Sequence, residues 1–487
     1  MTYSEAIQFL YDLRLFGLKL GLENTYKLAA LAGNPQDQLR FIHVAGTNGK
    51  GSTCAMLESI YRAAGLRVGL FTSPHLVSFR ERIQVNRQLI SEEEVVRLVA
   101  NLREQSRAGV PPAQEPERGL DGDATVESRR TLTGSGRQEP CSVSPAPSDG
   151  RDACPTFFEF VTVLALRYFA EQHCDVVIWE TGLGGRLDAT NIVTPLASVI
   201  TNIQFDHQKW LGSTLAEIAA EKAGIIKPGV PVITATDAPE ALEVIAKSAR
   251  EKHALIIKVG QASSLPWAGG TTALPLLGEH QRLNAVLAVA TVRVLQNQIA
   301  VSDEVIQRGL ETVQWPGRLQ LVTTTSGQTF LLDGAHNTAG AAALREALLG
   351  GTIDRALPVR PVSAKGAGDI CRQDAGSTLI LGVLEDKDWR QICEMLAPLA
   401  QRILLVPVPS ERTAPPELLR DACAAINPTA QTIACPSLAD ALKQTFNDPF
   451  VILTGSLYLV GEALERLGLS PAPAAGERGL NEWTLEK

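Results

Sequence analysis

Aromatic residues are scarce in this sequence and positive charge is not in excess, and both features argue against nucleic-acid binding. Phe, Trp and Tyr make up 5% of the 487 residues, and the formal net charge at pH 7 is −8. Binding of single strands relies on aromatic rings on which bases stack, and binding of the phosphate backbone needs a basic face. We therefore expect no nucleic-acid partner, although a local anion site is compatible with an acidic protein.

The sequence also lacks a secretory signal, a membrane-spanning run and a metal-binding cysteine pattern. Its first residues show no basic stretch followed by an apolar run. The longest apolar segments, such as residues 158–170, are too short and too interrupted to cross a bilayer. The eight cysteines include no C-x-x-C pair, which favours reduced thiols. We expect a cytoplasmic monomer without a membrane partner.

Length and residue order predict an α/β protein of two domains. A chain of 487 residues is longer than one hydrophobic core usually covers. Residues 40–72 read as strand, glycine loop, helix and strand, the start of a parallel sheet. The predicted fold class is α/β, with an N-terminal P-loop-type domain over residues 1–298, whose mostly parallel sheet has helices on both faces. A smaller C-terminal Rossmann-like α/β domain follows over residues 299–469.

Three segments fall outside this pattern. Residues 105–155 are rich in Pro, Gly, Ser and charge and have no periodic apolar positions, which predicts a disordered insertion. Residues 350–377 are predicted to form a second loop insertion. The Pro-, Ala- and Gly-rich residues 470–487 are predicted to be a flexible tail.

A glycine-rich loop follows the first predicted strand and opens a helix. It reads Gly46-Thr47-Asn48-Gly49-Lys50-Gly51-Ser52. Glycines let backbone amides turn toward a phosphate chain, and the helix N-terminus adds partial positive charge. Lys50 can reach the outer phosphates, and a hydroxyl can face Mg²⁺. The general P-loop has Ser or Thr directly after the lysine, whereas Gly51 stands there in this chain and the hydroxyl is displaced to Ser52. A strand–helix turn that holds no ligand is the alternative.

This loop resembles that of the Mur-type ligases, and most closely that of the folylpolyglutamate and dihydrofolate synthase family. Members use ATP to activate a carboxylate as an acyl phosphate, which the amine of an incoming glutamate attacks. The resemblance implies dihydropteroate or folates, L-glutamate and ATP as partners, Mg²⁺ as a cofactor and a monovalent cation as a further one. It implies ATP contacts along Thr47 to Ser52, with Lys50 as a catalytic residue.

Further motifs supply the metal ligands that the resemblance implies. Glu180 ends an apolar strand and precedes a loop with three glycines. Open α/β folds bind ligands at that edge of the sheet, so Glu180 is a candidate Mg²⁺ ligand by position alone. The resemblance adds Ser73, in Thr72-Ser73-Pro74-His75-Leu76, and His207, directly after another predicted strand. Alone, Ser73 reads as part of a strand-ending turn, and a lone histidine is more often structural.

Other stretches match the family's substrate and nucleotide contacts. The pterin-side substrate residues that the resemblance implies are Thr156, Phe157, Phe158, Glu159, Leu187, Asp188 and Ala189; Thr156 and Glu159 alone would be a helix capping box. Lys222 is implied to be catalytic and to carry a carbamate, although it would ordinarily be a solvated helix residue. The implied contacts to ATP in the second half are Asn284, Arg318 and Asp333, with catalytic His336 near the γ-phosphate.

Three other functions remain open at this point. A cell-wall Mur ligase acting on a UDP-muramoyl substrate would need a UDP-sugar-binding domain before the phosphate loop, and that loop already begins at Gly46. A P-loop NTPase without ligase activity would hydrolyse ATP and need no acceptor or glutamate. A catalytically dead binding protein would lose the metal set, whereas Lys50, Glu180 and His207 are all present.

Overall fold

The computed structural model describes residues 1–14, 21–108, 155–260, 274–356, 377–470, 472 and 477–481. Two sheets organise these residues, which confirms the predicted α/β fold class. The first sheet has eight strands in the order β4-β3-β2-β5-β1-β6-β7-β8, parallel except for the β2–β3 and β3–β4 pairs. Its strands are β1 Phe41–Ala45, β2 Val68–Phe71, β3 Ile83–Val85, β4 Gln88–Leu89, β5 Val176–Glu180, β6 Ala197–Ile200, β7 Val232–Thr234 and β8 Ile256–Lys258.

Ten helices in the described residues cover this sheet on both faces. Successive side chains of a strand point to opposite faces, so neighbouring residues enter different cores. Phe41 and Trp179 pack in one core with helices α1 and α5, whereas Ile42 and Ile178 pack in the other with α3, α9 and α10. The helices are α1 Tyr3–Leu13, α2 Glu23–Leu31, α3 Lys50–Ala63, α4 Glu92–Ala108, α5 Phe157–Glu171, α6 Gln208–Leu211, α7 Leu215–Ala223, α8 Pro239–Glu251, α9 Glu279–Val294 and α10 Asp303–Glu311.

The second sheet has six strands in the order β13-β12-β11-β14-β10-β9, with only the β9–β10 pair antiparallel among the described strands. Its strands are β9 Gln320–Thr323, β10 Thr329–Leu332, β11 Thr378–Leu381, β12 Arg402–Leu405, β13 Gln431–Ala434 and β14 Phe450–Thr454. The helices around it are α11 Thr338–Leu349, α12 Thr352–Ala356, α13 Trp389–Leu396, α14 Pro416–Ile426, α15 Leu438–Gln444 and α16 Leu457–Arg466.

The hydrophobic cores divide the chain later than the boundary predicted at residues 298 and 299. Helix α10 packs on α3 of the first sheet, and Ile306, Leu310 and Val313 belong to that sheet's core. The Ser59 hydroxyl donates to the carbonyl of Gly309 at 2.7 Å. The first lobe therefore extends through Val313, because α10 buries its apolar face there. We call the parts before and after this point the first and second lobes.

The three segments predicted to be irregular also contain regular structure. Helix α4 continues to Ala108, and α12 occupies residues 352–356 of the second predicted insertion; most of both insertions lies outside the described residues. The predicted flexible tail contains a short 3-10 helix, Glu477–Asn481, with Glu477 and Leu480 buried. Buried contacts, absent from any composition pattern, order this end of the chain. Among the described helices, none is both long and apolar enough to span a bilayer.

Candidate functional site

Four parallel strands of the first sheet end side by side and deliver the predicted site residues to one edge. Strands β2, β5, β1 and β6 are neighbours in that order. Their register sets Val44 of β1 opposite Glu180 of β5. The ends of these strands carry, in the same order, Ser73 after β2, Glu180 as the last residue of β5, the phosphate loop after β1 and residues 201–207 after β6. The parallel topology thus brings together residues that lie far apart in the sequence.

The phosphate loop is held by the segment after β6. A Cβ atom on Gly46, where φ is 147°, would lie 1.8 Å from the Thr201 hydroxyl, so this position requires glycine. The Thr47 hydroxyl donates to the Gln204 carbonyl at 3.1 Å, and the amide of Asn48 donates to Oδ1 of Asn202 at 2.8 Å. The loop is therefore preformed, and α3 begins at Lys50, where a helix N-terminus favours an anion.

Two lysines meet at one carbonyl of this loop. The Nζ atom of Lys50 donates to the carbonyls of Gly46 and Thr47 at 3.2 and 3.3 Å. Nζ of Lys222, on α7, donates to the same Gly46 carbonyl at 2.7 Å. Burial lowers the pKa of Lys222 to about 7, and the charge of Lys50 adds to this effect. A substantial fraction of Lys222 is thus neutral amine near pH 7.

Glu180 is a buried carboxylate that both lobes approach. Burial raises its pKa to about 7, and the charges of Lys50 and Arg318 oppose that rise. The amide of Ser73 donates to Oε2 of Glu180 at 3.1 Å, which brings these two predicted metal ligands together. Mg²⁺ accepts few protein ligands and keeps phosphate and water oxygens. The hydroxyl of Ser73 and the carboxylate of Glu180 are oxygen ligands of the kind that such an ion binds.

His207 is placed differently from the other two predicted metal ligands. Its backbone is left-handed, with φ of 51°, and 40% of its side chain is exposed. Its Nε2 atom lies 3.9 Å from Oδ1 of Asp206. The described residues contain no group of three His, Cys, Asp or Glu side chains that could hold a metal ion. Ser73 and Glu180 therefore form the closer pair, and the imidazole of His207 lies at the exposed rim.

The second lobe contributes two loops to the site: the loop before β9, which carries Arg318, and the loop after β10, which carries Asp333 and His336. Both carboxylate oxygens of Asp333, which follows β10, accept backbone amides: Oδ2 accepts that of Leu319 at 2.8 Å and Oδ1 that of Ala335 at 2.9 Å. Arg318 donates from Nη1 to the Gly317 carbonyl at 3.0 Å. Asp333 thus orders the two loops that carry Arg318 and His336.

Asn284, on α9, approaches the phosphate loop. A Cβ atom on Gly49, where φ is 83°, would lie 2.5 Å from Oδ1 of Asn284. The amide nitrogen of Asn284 donates to Oε1 of Gln281 at 3.0 Å, which orients the side chain. The structure therefore brings the predicted nucleotide residue Asn284 to the loop that holds Lys50.

Asp206 joins the two lobes, a role that the sequence did not suggest. Nζ of Lys387 lies 2.6 Å from its Oδ1 atom, and Nδ2 of Asn337 donates to its Oδ2 atom at 3.0 Å. Nε2 of His336 lies 3.7 Å from Oδ2. Burial raises the pKa of Asp206, but the interaction with His336 and the charge of Lys387 hold that pKa far below its usual value. Asp206 directly precedes the predicted metal ligand His207, and this position was the sequence signal that could have identified it. Lys387 gave no such signal, because it lies in a run of charged residues that is typical of a solvated loop.

The predicted pterin-side residues divide into two groups. Thr156 and Glu159 form the reciprocal capping box of α5, and the carboxylate of Asp188 accepts the amides of Leu183 and Thr190 at 2.7 and 3.1 Å. These three side chains, like the buried Phe157 and Ala189, have structural surroundings. Phe158 and Leu187 are half-buried. Phe158 lies against Gly182, and Leu187 lines a cavity of about 120 Å³ with Leu183, Arg186, Trp210, Leu211 and Glu221.

Known proteins resemble this chain over nearly its whole length. Residues 152–292 match the Mur ligase middle domain. The chain is 34% identical over 488 aligned positions to the dihydrofolate synthase/folylpolyglutamate synthase of Bacillus subtilis (strain 168), covering 96% of this chain and 99% of that protein. It is 30% identical, with the same coverage, to the folylpolyglutamate synthase of Lacticaseibacillus casei. The structure of E. coli FolC in complex with DHPP and ADP superposes with a TM-score of 0.74 at 29% identity, covering 96% of this chain and 98% of that one.

Proposed function

This chain belongs to the dihydrofolate synthase/folylpolyglutamate synthase family of Mur-type ligases, and from that premise we propose how it works. It is an ATP-dependent ligase that joins glutamate to folate-type acceptors. We propose that it accepts both dihydropteroate and folyl-glutamates. The observation that carries the mechanism is the contact of the phosphate loop with the second lobe, where Nδ2 of Asn337 donates to Oδ1 of Asn48 at 3.1 Å. The charges of Lys50, from the first lobe, and Arg318, from the second, both act on the carboxylate of Glu180, and they would neutralise a triphosphate bound between the lobes.

The phosphate loop and these charges would bind ATP. Backbone amides at the start of α3 would contact the phosphate chain, with Lys50 on its outer phosphates and Arg318 opposite. Bringing an acceptor carboxylate to ~4 Å from a phosphate charge costs about 4 kcal/mol at an effective dielectric constant of 20, so such charges are required. Ser73, Glu180 and His207 would hold Mg²⁺, which supplies further neutralisation of the phosphates. Asn284 and Asp333 would contact the rest of the nucleotide.

The reaction would proceed in two steps. A carboxylate oxygen of the acceptor attacks the γ-phosphorus, a P–O bond forms, and the bond to ADP breaks; positioning and charge stabilisation supply most of the catalysis. The glutamate amine then attacks the carbonyl carbon of the acyl phosphate, inorganic phosphate leaves, and the amine loses a proton. His336 would face the γ-phosphate. Contact between the lobes at Asp206 and Lys387 would exclude water from the acyl phosphate.

Lys222 would react with CO₂ to form a carbamate. A neutral amine is the nucleophile in that reaction, and the pKa of about 7 makes the neutral form available. The neutral amine forms a C–N bond to the carbon of CO₂ and releases one proton, so the neutral side chain becomes an anion. We propose this carbamate, and a monovalent cation, as further parts of the site.

The pterin side of the acceptor would lie near Phe158 and Leu187. Both are half-buried: Phe158 lies against Gly182 in the loop that directly follows Glu180, and Leu187 is part of the same loop. Thr156, Glu159 and Asp188 would shape this side by holding the backbone. We keep as proposals that the enzyme works as a cytoplasmic monomer and binds neither nucleic acid nor membranes.

Product mass spectrometry with ADP release tests the proposed acceptors. Purified enzyme is given ATP and dihydropteroate, tetrahydrofolate or a UDP-muramoyl substrate, each with and without glutamate. We expect glutamate-dependent ADP release and a one-glutamate mass gain with both folate-type acceptors, and neither signal with Lys50→Met. Ligation of the UDP-muramoyl substrate, or equal ADP release without acceptor, would contradict the proposal.

A further inference from the structure

The last described segment of the chain docks between the lobes. We call this segment, Glu477–Asn481, the C-terminal strap. The side chains of Glu477 and Asn481 are buried, and Leu480 packs in the hydrophobic core that contains α1 and α5. A buried carboxylate is costly unless it receives hydrogen bonds. The partners of Glu477 therefore indicate what the strap does.

These partners lie on the segment after β2 that comprises residues 73–82, which we call the Ser73–Arg82 loop. The carboxylate of Glu477 accepts a hydrogen bond from the Ser78 hydroxyl at 2.9 Å and another from the amide of Phe79. The backbone carbonyl of Glu477 accepts from Nε2 of His75 at 3.0 Å, and Nδ2 of Asn481 donates to the His75 carbonyl at 2.9 Å. Two residues of the strap thus fix His75, which is two residues past Ser73, through both its side chain and its backbone.

Arg82 extends this network to the proposed pterin side of the site. Its Nε atom donates to Nδ1 of His75 at 2.8 Å, so the proton of that imidazole is on Nε2, which donates to the strap. Its guanidinium also donates to Asn481, and its central carbon lies 5.4 Å from the centroid of the Phe157 ring. Arg82, the last residue of the Ser73–Arg82 loop, therefore connects the strap to the start of α5.

The strap is also attached to the second lobe. The Tyr458 hydroxyl donates to the Asn481 carbonyl at 2.7 Å, and Arg478 forms an ion pair with Glu465. Both Tyr458 and Glu465 are on α16. A single five-residue segment thus bonds to the Ser73–Arg82 loop on one side and to α16 on the other.

We propose that the C-terminal strap positions the Ser73–Arg82 loop for ligation, with Glu477 and Asn481 as positioning residues. The loop has internal support, because Glu81 accepts the amides of Leu76, Val77 and Ser78 at 2.8 to 2.9 Å. Loss of the strap contacts therefore leaves the loop folded but free to shift against Glu180 and Phe157. The inference rests on the proposed function insofar as Ser73 is taken to serve the metal.

Amide hydrogen exchange of the ligand-free protein tests the positioning directly. The variants are Glu477→Ala and Asn481→Ala, with the exposed residues Glu251 and Asn297 replaced by alanine as matched controls. We expect exchange across residues 75–80 to become at least tenfold faster in the two strap variants, while exchange in α3 and in the second sheet is unchanged. Loop exchange that stays at the wild-type rate, or exchange that accelerates throughout the protein, overturns the inference.

Kinetics separate this inference from the proposed function. In Glu477→Ala we expect kcat to fall at least tenfold and the Mg²⁺ concentration for half-maximal rate to rise, with the KM for glutamate within about twofold. Glu477→Gln keeps an oxygen that accepts from Ser78 or Phe79 and should recover most of the rate. Ser73→Ala serves as the reference. Wild-type turnover of Glu477→Ala beside an inactive Ser73→Ala overturns the strap inference alone, whereas wild-type turnover of Ser73→Ala overturns the proposed metal role.

Discussion

Nζ of Lys387 lies 2.6 Å from Oδ1 of Asp206, so an ammonium of the second lobe closes on a carboxylate of the first. The two side chains are only 8% and 9% exposed, which removes them from most solvent screening. Asn337 occupies the other carboxylate oxygen, and His207 follows Asp206 in the chain. The contact therefore links closure of the lobes to the position of a proposed metal ligand.

Breaking this pair should reduce ligation without unfolding either lobe. We expect Asp206→Asn and Lys387→Met each to lower kcat/KM by about 10- to 100-fold, the equivalent of roughly 1–3 kcal/mol for a hydrogen bond to a charged group. The double variant should lose much less than the sum, as measured in a double-mutant cycle of kcat/KM. Lys443→Met, which removes an exposed ion pair with Asp440, is the control. Additive losses would show that the two side chains act separately.

Lys222 should carry a carbamate that depends on dissolved CO₂. In buffer freed of CO₂ we expect the ligation rate to fall, and added bicarbonate to restore it, because neutral Lys222 amine is available near pH 7. With ¹³CO₂, nuclear magnetic resonance should show one slowly exchanging carbamate signal in the wild type. Lys222→Met should lack that signal, and Lys209→Met, at an exposed lysine, should keep it. A signal that persists in Lys222→Met would assign the carbamate to another amine.

His43 should make the protein sensitive to mild acid. Burial in β1, aided by the charge of Lys227, lowers its pKa to about 3, while the unfolded chain keeps the ordinary value near 6.5. The unfolded state therefore binds the extra proton between these values, and stability falls as pH drops from about 6.5 toward 3. At pH 5.5 this linkage amounts to about 1.4 kcal/mol.

Urea denaturation at pH 7.5 and 5.5 checks this sign. His43→Gln can still donate to the Thr190 hydroxyl, the partner of His43 Nε2 at 2.9 Å, but it does not titrate. We expect the wild type to lose about 1.4 kcal/mol more than His43→Gln over this pH interval. His173→Gln, at an exposed turn residue whose φ is 51°, is the comparison and should follow the wild type. Equal losses in wild type and His43→Gln would place the acid sensitivity elsewhere.

The sequence was informative where an apolar strand is followed at once by polar residues. Strand β1 was predicted within one residue, and Glu180 was placed at a sheet edge because buried parallel strands are continuous apolar runs. Strands β3, β4, β8 and β13 were not predicted, because each has only two to four residues and, apart from β3, each contains exposed or partly exposed residues. The family resemblance and the ligase function were confirmed by similarity, while the individual site roles remain predictions.

Contacts between distant residues were the part that sequence order could not provide. Asp206 and Lys387 are separated by 181 positions, and Ser78 and Glu477 by 399. In each case local composition suggested a solvated loop or tail. Burial of one charged side chain by another part of the chain reversed that expectation, and such burial depends on how the lobes meet.

Gly51 separates this phosphate loop from the general P-loop, and the structure gives a reason for the departure. A Cβ atom on Gly51 would lie 2.9 Å from Cζ2 of Trp315. The guanidinium of Arg87 lies over the Trp315 ring, with its central carbon 5.5 Å from the ring centroid. Gly51→Ser would restore the usual residue after the lysine. It should nevertheless weaken ATP binding, because a bulky indole next to Lys50 must shift.

We expect Gly51→Ser to raise the Kd and the KM for ATP by roughly tenfold or more, in line with overpacking costs of about 1–3 kcal/mol. Trp315→Leu makes room, so the double variant Gly51→Ser with Trp315→Leu should bind ATP more tightly than Gly51→Ser alone. Gly260→Ala, where an added Cβ would meet no atom within 4 Å, should bind as the wild type does. Calorimetric titration with ATP gives the Kd values. If Gly51→Ser binds ATP at least as well as wild type, contact with Trp315 does not explain the glycine, because steric conflict predicts weaker binding whatever the added hydroxyl contributes.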